Sequence, residues 1–317
     1  MFVRRSVIAF VLLFASAAQA AWPERPVTLV VPFAPGGITD ILARLTAERL
    51  GAALKTNFVV ENQVGGAGVI ATERVARADP DGYTLLFSTI SQIAIAPFTH
   101  KISYDPIRDF KPISIVATSP FVVTVSNSFP ASTLSEFIAH VKGKPGQLAY
   151  ASAGPGSLTH ISSALFLKRA GLDMIHVPNR GVAPAFNDLL AGNVQMVSAT
   201  PVELKPFLDS NKIKLLGSSG PVRSKDMPDV PAIAEIFPSH SVVTWNGVLA
   251  PARTSQPIID ALSREIMAAV RSPDVQARLS RLGVDPVGST PAEFEQVIAA
   301  DTERWRTIVR DMGLQTQ

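Results

Sequence analysis

Two Gly/Pro-rich loops each follow a short apolar strand and open a helix. The first loop spans residues 32–40 (PFAPGGITD), and the second spans residues 153–160 (AGPGSLTH). The first backbone N–H groups of a helix lack intrahelical partners, and the peptide dipoles favour negative charge at that end. Such a loop therefore binds anions. Two copies predict two walls of one cleft, and they favour capture of a small acidic molecule over chemistry on it.

Polar side chains beyond other predicted strand ends are further candidate ligand contacts, because open α/β sheets bind ligands at that edge. Arg180 is a candidate for the cleft rim, where its charge would attract an anion, whereas Asp40 is expected to fix the first loop. Charge-assisted hydrogen bonds contribute about 1.5–3 kcal/mol each, so several donors can hold a carboxylate without an arginine clamp. The strand-end candidates are Thr89, Ser91, Gln92, Ser198 and Thr200.

A secreted hydrolase acting on a small carboxylated substrate is the alternative function. Ser157 and His160 stand three residues apart and could supply a nucleophile and a base. The sequence lacks the G-x-S-x-G turn, however, and a serine triad also needs a placed acid. We therefore predict a binding protein with no catalytic residues.

The sequence predicts neither a cofactor nor a metal site. Residues 66–71 match G-x-G-x-x-A, but this motif follows the second predicted strand and lacks the acidic residue of dinucleotide-binding folds. The five histidines form no H-x-x-x-H pair, and the chain has no cysteine. Its 29 basic and 26 acidic residues form no Lys/Arg-rich run, which argues against a nucleic-acid partner.

The first 20 residues have the pattern of a secretory signal peptide. Arg4 and Arg5 precede an apolar stretch at residues 7–15, and Ala18-Gln19-Ala20 forms a small-residue cleavage site. The apolar stretch is shorter than the roughly 20 residues that span a bilayer. We predict export across the inner membrane, with cleavage after Ala20.

Predicted strands and helices alternate along the rest of the chain, which indicates an α/β fold with mostly parallel sheets and right-handed crossovers. The predicted strands are 27–31, 57–61, 84–89, 113–117, 121–126, 148–152, 174–177, 194–197, 214–217 and 242–249. The predicted helices are 38–54, 69–78, 134–142, 158–170, 184–191 and 291–312, with a further helical pattern from residue 256 onward.

The length of 317 residues suits two domains better than a single core. We predict that residues 21–122 and 246–317 form domain 1, and that residues 123–245 form domain 2. Strands at the two boundaries would cross between the domains.

Short motifs along the whole predicted mature chain carry a family resemblance. They include residues 30–40, 60–68, 80–86, 104–106, 150–160, 176–178, 183–185, 188–192, 228–231 and 249–252. This set resembles the Bug-type (TctC-like) receptors, the periplasmic solute-binding proteins of tripartite tricarboxylate transporters. The resemblance implies a two-domain periplasmic binding protein of type II, the Venus-flytrap kind, with two crossover strands. It also implies a monomer without enzymatic activity that delivers a carboxylic acid to membrane permease subunits.

The resemblance assigns the two walls of the ligand cleft and implies ordered waters beside the first. The first wall comprises Phe33, Ala34, Pro35, Gly36, Gly37 and Thr39, with Asp40. The second wall comprises Ser152, Ala153, Gly154, Pro155, Gly156, Ser157 and His160.

Three departures from the family pattern bear on the ligand. Asn179 and Arg180 replace Tyr-Lys after His-Val-Pro, and both join the candidate contacts. Ser157 stands where the family usually has threonine. The acidic segment usually found near residues 197–199 is absent, so an ammonium group would lack its partner. We therefore expect a dicarboxylate or an aromatic carboxylate to bind better than an amino acid.

Overall fold

A computed structural model describes residues 22–238 and 240–314; the predicted signal peptide and its cleavage after Ala20 lie outside the described residues. The strands are β1 (Val27–Val31), β2 (Phe58–Asn62), β3 (Thr84–Thr89), β4 (Phe110–Pro120), β5 (Val122–Ser126), β6 (Ala149–Ser152), β7 (Ile175–Pro178), β8 (Met196–Ala199), β9 (Ile213–Ser218), β10 (Val243–Pro251) and β11 (Asp285–Pro286). The helices are α1 (Ile38–Leu54), α2 (Val69–Ala76), α3 (Ala96–Thr99), α4 (Leu134–Lys142), α5 (Leu158–Ala170), α6 (Val182–Ala191), α7 (Pro201–Asp209), α8 (Gln256–Arg271), α9 (Pro273–Arg281) and α10 (Pro291–Asp311). None of these helices combines the length and hydropathy of a transmembrane span.

The strands form two mixed sheets, with the orders β11-β4-β10-β3-β1-β2 and β7-β6-β8-β5-β9. In the first sheet β1 pairs in parallel with β2 and β3, and β10 pairs antiparallel with β3 and β4. In the second sheet β6 pairs in parallel with β7 and β8, and β5 pairs antiparallel with β8 and β9. The prediction of mostly parallel sheets is therefore wrong. Helical crossovers make their own strands parallel, but the strands that pass between the sheets enter from the opposite end.

The chain passes from the first sheet to the second between Pro120 and Val122, and β10 returns it to the first sheet. The predicted domain limits, 21–122 with 246–317 and 123–245, stay a prediction.

Helix α7 was not predicted from the sequence, because Pro201 and Pro206 interrupt its apolar pattern. Pro201 occupies the first helical position, where its missing N–H costs nothing, and the Thr200 side chain caps the helix together with Glu203. The predicted limits of α1, α4 and α5 are confirmed. Most other limits differ by one to three residues.

Each sheet is covered by helices on both faces. On the first sheet, α1 and α8 pack with Leu29 and Val248 on one face, and Trp305 of α10 packs with Trp245 on the other. Both tryptophans are buried in this packing. On the second sheet, α5 and α6 cover opposite faces. The loops after β1 and β6 thus emerge at the strand ends from which α1 and α5 begin.

Candidate functional site

A buried carboxylate holds the first loop in place. Asp40 is 3% exposed, and its Oδ2 accepts hydrogen bonds from the Gly36 amide (2.9 Å) and Arg44 Nε (3.0 Å). Asn62 Nδ2 donates to Oδ1 of the same carboxylate (2.9 Å). Burial by itself raises the pKa of Asp40, but the hydrogen bonds from Arg44, Gly36 and Asn62 outweigh it and hold the pKa below its usual value. The expectation that Asp40 fixes this loop is confirmed.

The first loop leaves backbone donors free at the start of α1. Residues 34–37 are exposed, and Phe33 is half-buried with its carbonyl accepting from Asn62 Nδ2 (3.0 Å). Among the described residues, the amides of Gly37, Ile38 and Thr39 find no acceptor. These three N–H groups at a helix N-terminus can bind an anion.

The second loop differs, because its amides are largely satisfied within the loop. Ser157 caps α5: its Oγ accepts from the His160 amide (3.2 Å) and donates to the Gly154 carbonyl (2.7 Å). In the part of the chain that the structure describes, the Leu158 and Thr159 amides remain without an acceptor. The satisfied amides are those of Ala153 to Thr159 Oγ1 (2.8 Å), Gly154 to Ser152 Oγ (3.1 Å), Gly156 to His160 Nδ1 (3.2 Å) and Ser157 to the Gly154 carbonyl (3.2 Å).

Three stacked rings lie behind the second loop. The rings of His160 and His176 are 4.0 Å apart, and those of His176 and Tyr150 are 4.9 Å apart, all nearly parallel. Burial, together with the neighbouring His176, lowers the pKa of His160 to about 4, and burial also lowers the pKa of His176. The stack is therefore neutral at pH 7, and it fixes the loop through Nδ1 of His160.

The geometry does not support the hydrolase alternative. Ser157 Oγ contacts the backbone N–H of His160 and not its ring. A Ser–His contact does exist between Ser152 Oγ and His176 Nε2 (2.7 Å), but Ser152 is fully buried. Among the described residues, no carboxylate hydrogen-bonds to either ring to complete a triad.

Gln92 is a buried structural bridge instead of an exposed wall residue. Its Nε2 donates to the Ala67 carbonyl (2.8 Å), and its Oε1 accepts from Ser88 Oγ (3.1 Å) and Thr89 Oγ1 (3.0 Å). Thr89 Oγ1 also accepts a hydrogen bond from the backbone amide of Ser91. The Ser91 residue is half-buried. Thr89, Ser91 and Gln92 thus lie together at the end of β3, and Gln92 ties that end to the glycine-rich turn before α2.

In the second sheet, the strand-end candidates have separate roles. Thr200 Oγ1 donates to Glu203 Oε2 (2.7 Å), so it caps α7. Ser198 is fully buried, and its Oγ has no hydrogen-bond partner among the described residues.

Asn179 and Arg180, which depart from the family pattern, also differ in exposure and bonding. Asn179 is half-buried and donates through Nδ2 to Asp188 Oδ2 (3.1 Å), so its side chain is already engaged. Arg180 is exposed, as a rim position requires.

The two halves of the fold touch beside the second loop. A side chain at Gly156 would lie 3.9 Å from both Thr99 and His100. Ile161 and Leu165 of α5 belong to the same core cluster as Trp245. The loop after β6 therefore faces residues of the first half, as a cleft wall must.

Asn246 was not among the residues predicted from the sequence. This residue lies in β10, pairs with Thr89 of β3 and is 1% exposed, and neither polar atom of its side chain has a partner among the described residues. A polar residue within the apolar run 242–249 (VVTWNGVL) is the signal that could have identified it.

The family comparison agrees with this geometry. The family model described as "Tripartite tricarboxylate transporter family receptor" matches residues 42–314. The chain belongs to this family. The resemblance stated from sequence motifs is thereby confirmed, and members of the family are periplasmic receptors.

Three solved structures are similar to this receptor over most of its length. Rpa4515 of R. palustris, solved with adipate, is 32% identical, with a TM-score of 0.86 over 92% of this chain and 99% of that one. The periplasmic binding protein BugD is 31% identical, with a TM-score of 0.83 over 93% and 100%. MatC of Rhodopseudomonas palustris, with bound malate, is 33% identical, with a TM-score of 0.80 over 91% and 100%. The predicted two-domain periplasmic-binding-protein fold is confirmed.

Proposed function

We propose that this receptor binds a small carboxylic acid in the cleft between the loop after β1 and the loop after β6. The observation that carries the proposal is the set of free amides of Gly37, Ile38 and Thr39, held in position by buried Asp40. Charge-assisted bonds of about 1.5–3 kcal/mol each from such donors can approach the roughly −8 kcal/mol of a micromolar complex. The adipate and malate complexes of two relatives support this ligand class.

The receptor would act as an exported monomer that binds without turnover. Residues 21–122 with 246–317 form one half in this proposal, and residues 123–245 form the other. A bound acid contacts both halves and stabilises their closed arrangement, which the membrane permease subunits of the transporter recognise. Residues 197–199 (VSA) include no acid that could pair with an ammonium group, so we expect dicarboxylates or aromatic carboxylates to bind better than aspartate or glutamate.

The test is a thermal-shift and native mass spectrometry series with malate, adipate, benzoate, aspartate and glutamate. At a concentration of about 100 Kd, a bound acid should add about 2.7 kcal/mol to the free energy of unfolding. Adipamide, which has the length of adipate but no charge, is the matched control and should leave the melting temperature unchanged.

Recovery of each acid with unchanged mass supports a receptor, whereas its conversion would support an enzyme. A melting temperature that no carboxylic acid raises would rule out the proposed function. Tighter binding of aspartate or glutamate than of every other acid would overturn the ligand preference alone.

A further inference from the structure

Asn246 is a buried amide with both its donor and its acceptor unused. Its side chain is 1% exposed, and neither Nδ2 nor Oδ1 has a partner within residues 22–238 and 240–314. Buried polar groups are nearly always hydrogen-bonded, because desolvating them without compensation costs free energy. In a binding protein, the ligand can supply the missing partner of such an amide.

The alternation of side chains along β10 shows which way Asn246 points. Val248 and Ala250 belong to the cluster beneath α1 and α8, whereas Trp245 and Leu249 belong to the cluster beneath α10. Successive residues of a strand face opposite sides, so Asn246 lies on the face that α1 covers. Its register partner is Thr89, the last residue of β3. The orphaned amide therefore sits at the strand-end edge and on the sheet face from which the free amides of α1 arise.

The second sheet repeats this arrangement. Ser198 follows Met196 and Val197, whose side chains belong to the clusters beneath α5 and α6 respectively. Ser198 thus faces the α5 side of its sheet, and its Oγ is also buried without a partner. In each half of the fold, a strand residue with an unpartnered polar side chain thus lies on the sheet face covered by the helix that follows the loop. This correspondence favours a role for both in the cleft.

We propose that Asn246 contacts the bound acid and selects for a hydroxyl group on the carbon next to its carboxylate. This inference rests on the proposed receptor function. Nδ2 donates to a carboxylate oxygen, and Oδ1 accepts from the neighbouring hydroxyl, so that a hydroxy acid satisfies both atoms. An acid without the hydroxyl leaves Oδ1 orphaned when the cleft closes.

The test compares three pairs of acids that differ by one hydroxyl: malate and succinate, lactate and propionate, citrate and tricarballylate. Calorimetry of the wild-type protein should show, for the pair that binds, an affinity at least about tenfold higher for the hydroxy acid. In Asn246→Leu this ratio should fall to about one. Leucine has a similar volume and no polar atoms to leave unpaired, so the melting temperature of the apoprotein should stay the same or rise.

Two further variants separate this role from a structural one. Ser114→Ala changes a buried polar residue of β4 in the same sheet and should keep the wild-type ratio. Asn246→Asp keeps the side-chain shape but removes the donor and adds negative charge, so it should weaken binding of both members of each pair.

The outcomes distinguish this inference from the proposed function. A wild-type protein that binds acids without preferring the hydroxylated member, or an Asn246→Leu variant that keeps the preference, would overturn the role of Asn246 and leave the receptor function standing. Loss of the folded apoprotein in both Asn246 variants would assign the residue to folding instead. A wild-type protein that binds no acid overturns the proposed function, and this inference falls with it.

Discussion

Buried polar side chains near the first loop form hydrogen bonds with other protein groups. The free backbone amides of the loop therefore remain available to a ligand. Asp40 accepts hydrogen bonds from the Gly36 amide and from the side chains of Arg44 and Asn62. Gln92 links the end of β3 to the turn before α2. Through Gly36, Asp40 fixes the geometry of the neighbouring free N–H groups of Gly37, Ile38 and Thr39 and leaves them unoccupied. Preorganised donors lose little entropy on binding, which is the physical advantage of this arrangement.

At the residue scale, Asp40→Ala should reduce both stability and affinity. The substitution removes the buried acceptor of the hydrogen bonds from Gly36, Arg44 and Asn62, so we expect the free energy of unfolding to fall by about 2–4 kcal/mol. Urea denaturation and calorimetry with the acid found in the binding series measure both effects. Asp209→Ala is the matched control, because Asp209 pairs with Lys205 at the exposed surface and its loss should cost at most about 1 kcal/mol. Equal effects of the two substitutions would contradict the assigned role of Asp40.

The second loop is held in place by contacts among three secondary-structure elements. Tyr150 of β6, His176 of β7 and His160 of α5 stack across three elements, and the His160 ring accepts from Gly156. The ring can accept that bond only when Nδ1 is unprotonated. The conformation of the second loop therefore depends on the protonation state of His160.

At the element scale, this coupling gives a pH dependence with a definite sign. Burial and the neighbouring His176 lower the pKa of His160 from 6.5 to about 4. Between about pH 4 and pH 6.5 the unfolded chain binds a proton that the folded protein does not, so stability falls as pH decreases through this window. His160 can contribute at most about 3 kcal/mol to that change.

His160→Asn keeps an acceptor for Gly156 and removes the titration of this ring, so it should make the stability curve between pH 4 and pH 6.5 less steep. A slope remains in the variant because burial also lowers the pKa of His240 to about 4 and lowers the pKa of His176. Chemical denaturation at several pH values measures the slope. Ser163→Ala, a buried change on the same helix, is the control and should retain the wild-type slope. A slope in His160→Asn as steep as in the wild type would refute the assignment to His160.

At the scale of the whole molecule, the two halves are in contact at more than one place. Ser280 Oγ donates to Asp226 Oδ1 (2.6 Å), and Lys168 Nζ donates to the Asp311 carbonyl (2.8 Å). Ser280 and Asp311 follow β10 in the chain, whereas Asp226 and Lys168 lie in the segment between β5 and β10. We expect these polar contacts to break when the cleft opens to admit a ligand.

Cross-linking the halves should therefore control ligand exchange. The chain has no cysteine, so Asp226→Cys with Ser280→Cys supplies a unique pair for a short, reducible bifunctional thiol reagent. Cross-linked without ligand, the protein should take up no acid; cross-linked with ligand, it should retain the acid through dialysis. Reduction should restore exchange, and each single-cysteine variant treated alike should behave as the wild type. Normal uptake by the cross-linked apoprotein would show that binding needs no opening.

Local patterns in the sequence were sufficient to predict the elements that carry the site. The limits of β1, α1 and α5 are as predicted. Strand alternation, helical periodicity and capping depend on residues within a few positions of each other, so the sequence displays them directly. The family resemblance is equally a property of short motifs.

The tertiary structure alone decided which polar groups of the site are free. Both loops share the same Gly/Pro pattern, yet His160 and Thr159 satisfy amides of the second loop, while those of Gly37 to Thr39 stay open. Asn62 reaches Asp40 from another strand, and the antiparallel pairing of β10 with β3 brings Asn246 beside Thr89. The pairing of a buried polar group depends on side chains that folding brings from distant parts of the chain. Composition and spacing therefore predict where an anion can bind, and only the folded chain determines which donors remain to bind it.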